Sequence, residues 1–172
     1  MTEIFTKNAN ETKKVARLLA WEILKSKRGV IIGLVGELGA GKTTFIQSFA
    51  KGMKIKNRVT SPSFVLIKKY NNLYHIDCYR IKSYKDILTL DFQEIISNPK
   101  NIVLIEWAEK IKKILPKDTI WIRFKIVSEK ERRIEISSPK ANEISPAAAG
   151  RNSPRYSSGL KLAAFGREIN TE

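Results

Sequence analysis

The sequence predicts an α/β fold with a mostly parallel central sheet, and three observations carry that reading. Two continuous apolar runs, Val30-Ile31-Ile32-Gly33-Leu34-Val35 and Ile102-Val103-Leu104-Ile105, read as strands buried on both faces, the pattern of parallel sheets covered by helices. Segments with a helical apolar period surround them, beginning with the stripe Val15, Leu18, Leu19, Ile23 and Leu24. Near residue 130, Ile120, Ile122, Phe124 and Ile126 alternate with Trp121, Arg123 and Lys125, and a second strand returns over 133–137, which signals a C-terminal β-hairpin.

Taken in order, residues 2–6 are an edge-strand candidate. Asn8 followed by Glu11 resembles an N-cap with its capping-box partner, so a helix should start there. Lys25, Lys27 and Arg28 suit its C-terminal dipole, with Gly29 as the stop. The buried run 30–35 leads through a glycine-rich turn, 36–41, into a helix over 43–51 with Phe45, Ile46 and Phe49 inward. Residues 63–70 and 73–76 are short strands joined by Asn71-Asn72. A helical stretch over 83–97 ends before Asn98-Pro99, and a short helix over 107–115 stops before Pro116. Residues 138–172 hold three of the six prolines and three of the nine glycines without periodic apolar residues. The expectation is a folded domain over 1–137 and a flexible tail over 138–172, native or an expression remnant.

Composition narrows the function classes. With 42% hydrophobic and 28% charged residues, the 172-residue chain suits one globular domain. No apolar stretch approaches the ~18 residues of a membrane span, and the N-terminus lacks the order of a secretory signal, so a cytoplasmic protein is expected. Cys78 and His75 are the sole cysteine and histidine, which excludes an internal disulfide and the usual Cys/His zinc site. Any metal must be held by oxygen. Net charge is +15, of which the tail's five cations and three acids contribute little, so phosphate-bearing partners suit the folded domain. Lys51, Lys54, Lys56 and Arg58 form the best candidate basic patch.

The chemistry concentrates in Gly36-Glu37-Leu38-Gly39-Ala40-Gly41-Lys42-Thr43, a full match to G-x-x-x-x-G-K-[ST] between a buried strand and a helix. Glycines let several backbone N–H groups face one anion, and the helix N-terminus adds partial positive charge. This pattern marks a P-loop NTPase-like fold. It assigns Lys42 to the β- and γ-phosphates of a nucleotide and the Thr43 hydroxyl to Mg²⁺, with residues 36–44, Thr44 included, around the nucleotide. Such a loop needs an acid at the end of a neighbouring strand. Glu106 stands directly after the run 102–105, and Asp77 ends the strand 73–76 as a second acid facing the same crevice. His75 and Cys78 are read as packing residues on the other side of the pleat.

Together with GELGAGKTT at 36–44, the segments Val59-Thr60-Ser61-Pro62-Ser63-Phe64, His75-Ile76-Asp77-Cys78-Tyr79-Arg80, Ile105-Glu106-Trp107-Ala108-Glu109 and Arg132-Arg133-Ile134-Glu135-Ile136 resemble, in order and spacing, the TsaE (YjeE) family. Ala108 stands where proline is usual there and Cys78 where leucine is usual, and the tail has no family counterpart. The resemblance implies a small Mg²⁺-dependent P-loop ATPase of the bacterial pathway that installs threonylcarbamoyl on the adenosine next to the anticodon of certain tRNAs. It implies partnership with TsaB and TsaD, with tRNA met directly or through that complex, and slow turnover alone. By motif position it maps Lys42 and Thr43 to phosphate and magnesium, Glu106 to the acid at the magnesium, Asp77 to an acid near the attacking water, and Thr60 and Ser61 to a mobile loop. Arg80 is the candidate for an arginine finger. The alternatives are a small-molecule kinase and a nucleotide-dependent RNA- or protein-binding switch.

Overall fold

The computed structural model describes residues 1–62 and 65–137. The expected tail over 138–172, and the first two residues of the strand expected over 63–70, lie outside the described residues. The chain begins with β1 (Thr2–Thr6) and α1 (Ala9–Ser26), then β2 (Val30–Val35) and α2 (Lys42–Gly52). A hairpin of β3 (Ile67–Tyr70) and β4 (Leu73–Asp77) precedes two short helices, α3 (Lys85–Leu88) and α4 (Phe92–Ser97). β5 (Ile102–Glu106), a 3₁₀ segment (Ala108–Ile114) and the hairpin of β6 (Ile120–Ile126) and β7 (Arg132–Ser137) complete the domain. Among the described residues no helix is long and apolar enough to cross a membrane.

Among the described residues one seven-stranded sheet runs β1-β7-β6-β2-β5-β4-β3. The four central strands pair parallel, β6 with β2, β2 with β5, and β5 with β4. The outer pairings, β1 with β7, β7 with β6, and β4 with β3, are antiparallel. The expectation of a mostly parallel sheet therefore holds for the centre alone. Tight connections decide the margins: Asn71-Asn72, with Asn71 at φ 57°, and the turn before Arg132 are too short for a crossover, so their strands must run antiparallel.

Alternation along the two central strands divides the core. Ile32, Leu34, Ile102 and Leu104 face one side, where Leu19 and Ile23 of α1 and Phe45 and Phe49 of α2 cover them. Ile31, Val103 and Ile105 face the other, under Ile87, Phe92 and Ile96 of α3 and α4 and Ile111 of the 3₁₀ segment. Each such fully buried side chain contributes roughly 1.5–3 kcal/mol by leaving water, so the strands are held from both sides.

Local chemistry sets the helix ends. Asn8 Oδ1 accepts the N–H groups of Asn10 and Glu11, at 2.9 and 3.1 Å, and the Glu11 carboxylate returns to the N–H of Lys7 at 2.7 Å. The expected stop at Gly29 is corrected: Lys27, at φ 53°, ends α1 in the left-handed region. Gly29 serves a close approach, where an added Cβ would stand 2.8 Å from the Pro99 carbonyl oxygen. The helix expected over 83–97 is two helices, because Asp91 at φ 52° turns the chain between them. The helix expected over 107–115 is 3₁₀, which suits inward residues spaced by three, Ala108 and Ile111.

Gly33 of β2 lies beneath the 3₁₀ segment, where an added Cβ would meet Ala108 Cβ at 2.9 Å and the Trp121 ring at 3.0 Å. Gly33→Ala should lower unfolding free energy by about 1–3 kcal/mol through overpacking. Urea denaturation checks this, and an unchanged midpoint would show that the two neighbours yield freely.

Candidate nucleotide site

The turn after β2 carries Gly39 at φ 77° and Gly41 at φ 103°. An added Cβ at either would meet nothing within 4 Å, so the requirement there is conformational: the loop turns through backbone that other residues rarely adopt. Gly41 caps α2, and the helix N-terminus opens at the loop.

Lys42 and Thr43, the first residues of α2, diverge in their contacts. Lys42 is only 4% exposed. Its Nζ donates to the carbonyls of Gly36 and Glu37 at 2.5 and 2.8 Å and lies 3.9 Å from the Trp107 ring centroid. Burial pushes its pKa below the ordinary value, against the attraction of Glu106, Glu109 and Asp77. The Thr43 hydroxyl donates to the Glu106 carboxylate, 2.8 Å from Oε2 and 3.0 Å from Oε1.

The two acids stand where the sequence analysis placed them. Asp77 and Glu106 are register partners at the carboxyl ends of the parallel strands β4 and β5, and both are buried. Open α/β sheets bind ligands at that edge. Asp77 is held from two sides: Ser61 Oγ donates to Oδ2 at 2.8 Å, and the Tyr79 N–H donates to Oδ1 at 2.9 Å. Thr60 lies beside Ser61 and accepts from Lys68 Nζ at 2.7 Å.

The reading of His75 requires correction. Its ring is fully buried on the same face as Asp77, with Nε2 2.9 Å from Glu106 Oε1. The two-residue period of a strand puts positions 75 and 77 on one face, and that was the available signal. Cys78 turns the other way, into the second core cluster, as a packing residue. Trp107 was also missed as part of the site. Its left-handed backbone, φ 57°, places the ring over Lys42 and against Tyr79, ring centroids 5.1 Å apart.

These groups line a recess of about 330 Å³ that includes Lys42, Thr43, Ser61, Asp77, Arg80 and Glu106. On the other flank of the loop a recess of about 250 Å³ is bounded by Asn8, Thr12, Gly41, Thr44, Lys130 and Arg132. A larger groove, about 810 Å³, follows the sheet edge at β3 and contains none of the loop or the two acids. Lys51, Lys54, Lys56 and Arg58 are exposed; Lys51 stands at the far end of α2, roughly a helix length of ~16 Å from the loop, and the chain then returns through Arg58 toward Ser61. None of the four lines the recess. For a metal, the available donors are the Thr43 hydroxyl and the carboxylates of Glu106 and Asp77, all hard oxygens that fit Mg²⁺.

A phosphate-loop turn on a parallel sheet, with its threonine facing a strand-end acid, defines a protein of the P-loop nucleotide-binding class. The family model described as "Threonylcarbamoyl adenosine biosynthesis protein TsaE" matches residues 6–134, and the chain belongs to the TsaE family. A protein of Bacillus subtilis named "tRNA threonylcarbamoyladenosine biosynthesis protein TsaE" is 39% identical over 77% of this chain and 83% of its own. The protein of that name from Rickettsia felis is 36% identical over 90% of both chains. A crystal structure of Bacillus subtilis YdiB superposes with TM-score 0.65 at 30% identity, over 98% of this chain and 93% of the other.

Burial, aided by the Asp77 charge and opposed by Lys110, pushes the Cys78 thiol pKa up from 9.0 to about 12. A folded-state pKa above the unfolded value means that this thiol favours the fold below pH 9.0, and that its contribution is lost as pH rises toward about 12. At pH 8 Cys78 should therefore resist a thiol-specific reagent in the native protein and react once urea unfolds it. Prompt native labelling would contradict its burial.

Proposed function

We propose that this chain is an Mg²⁺-dependent ATPase that acts with TsaB and TsaD in forming threonylcarbamoyladenosine next to the anticodon of tRNA. Family membership supports the pathway. The observation that carries the ATPase reading is the Thr43 hydroxyl on the Glu106 carboxylate, an oxygen pair at the mouth of a phosphate loop.

In this reading the loop amides and the α2 N-terminus bind the phosphate chain, and Lys42 exchanges its two carbonyl partners for phosphate oxygens. That exchange is favoured because a buried ammonium gains more from an anion than from neutral carbonyls. Thr43 and Glu106 would hold Mg²⁺, which neutralises charge on the phosphates when bound. Asp77, fixed by Ser61 and the Tyr79 N–H, is oriented to accept a hydrogen bond from an attacking water. Arg80 borders the same recess and is the chain's own candidate for a transition-state cation. The flanking recess at Asn8, Thr12 and Arg132 offers space for the nucleoside.

Lys42→Ala should leave the protein folded and weaken nucleotide binding by the ~1.5–3 kcal/mol of a charge-assisted contact. Unchanged affinity in a folded variant would remove Lys42 from the site. Glu106→Gln should still bind nucleotide while single-turnover hydrolysis falls by orders of magnitude, since charge stabilisation matters most in the transition state. A rate within about twofold of the parent would end that role. ATP hydrolysis should accelerate when TsaB and TsaD are added, and equal rates with and without them would sink the partner-activated reading.

A further inference from the structure

We infer that His75 is a positioning residue for Glu106, donating its Nε2–H to Oε1 and so fixing the carboxylate that takes the Thr43 hydroxyl. The inference rests on the proposal that Glu106 is the acid at the magnesium. A carboxylate accepts hydrogen bonds and does not donate them, so the 2.9 Å contact assigns the hydrogen to Nε2. The opposite nitrogen, Nδ1, is buried with no hydrogen-bond partner among the described residues.

That orphan atom separates a positioning role from packing. Leu73 and Leu104, on the same sheet face, are apolar and fully buried, and a leucine or methionine at position 75 would fill the space without burying an unpaired nitrogen. What an apolar residue would forfeit is the single bond to Glu106. In the parallel register His75 lies opposite Leu104 and Asp77 opposite Glu106, so the imidazole reaches forward along the strands to the acid. Glu106 Oε1 then receives both His75 and Thr43, at 2.9 and 3.0 Å, from a neighbouring strand and from the helix above. A glutamate held at both sides keeps one rotamer, and partners of this kind set ligand orientation at metal sites.

The test follows the Mg²⁺ concentration dependence of binding of a fluorescent ADP analogue, with melting temperature measured in parallel. His75→Met should fold and need about 10–100 times more Mg²⁺ for half its effect. His75→Gln, whose side-chain amide reaches about as far as Nε2, should stay within about threefold of the parent, whereas the shorter His75→Asn should behave like His75→Met. A folded His75→Met with the parent's Mg²⁺ midpoint overturns the inference, as does a Gln variant as impaired as the Asn variant. If His75→Met does not fold, the contrast between Gln and Asn decides alone. Glu106→Gln runs alongside. A raised midpoint there with none in His75→Met refutes only the positioning role, and an unchanged midpoint in Glu106→Gln refutes the magnesium reading beneath it.

Discussion

The architecture of this site depends on keeping the Glu106 carboxylate buried and paired. A carboxylate that is 3% exposed must be matched by donors, and here they come from the first turn of α2 and from the adjacent strand β4. α2 can present Thr43 there only if the loop after β2 turns tightly, which Gly39 and Gly41 allow. β4 can present His75 only in its observed parallel register with β5. The phosphate loop, the sheet centre and the acid thus form one mutually dependent arrangement.

A second arrangement is built around Lys42. Its ammonium sits in a largely desolvated position, supported by two loop carbonyls and by the face of Trp107. Trp107 reaches that place through a left-handed backbone, a conformation that costs free energy for a bulky residue. The turn at Trp107 also starts the 3₁₀ segment packed over Gly33, so the tryptophan's placement is tied to the core beneath it. The rigid sheet therefore carries a site whose side chains are already oriented.

Charge is arranged at two scales. Near the loop, individual acids and one lysine are buried and partnered, and the exclusion of water makes the effective dielectric low. After the loop, the stretch from 51 to 76 contains six cations and no acid, and the four at 51–58 are exposed to solvent. Salt screens interactions of that second kind over a Debye length of roughly 10 Å, so Lys51, at the far end of α2, adds little to the field at Lys42.

Local sequence determined what local physics controls. Eight contiguous residues contain the glycines, lysine and threonine of the loop, and continuous or alternating apolar runs announce β2, β5, β6 and β7. Asn8 and Glu11 announce the start of α1, and Asp77 and Glu106 are recognisable as acids at strand ends. Tertiary structure decided the rest. The 3.6-residue period cannot see Asp91 turning the chain, and an apolar stripe does not distinguish α from 3₁₀ when inward residues recur every three. Above all, His75 and Glu106 are 31 positions apart, and their meeting requires the parallel pairing of β4 with β5, a contact set by packing across the sheet rather than by any pattern within either strand.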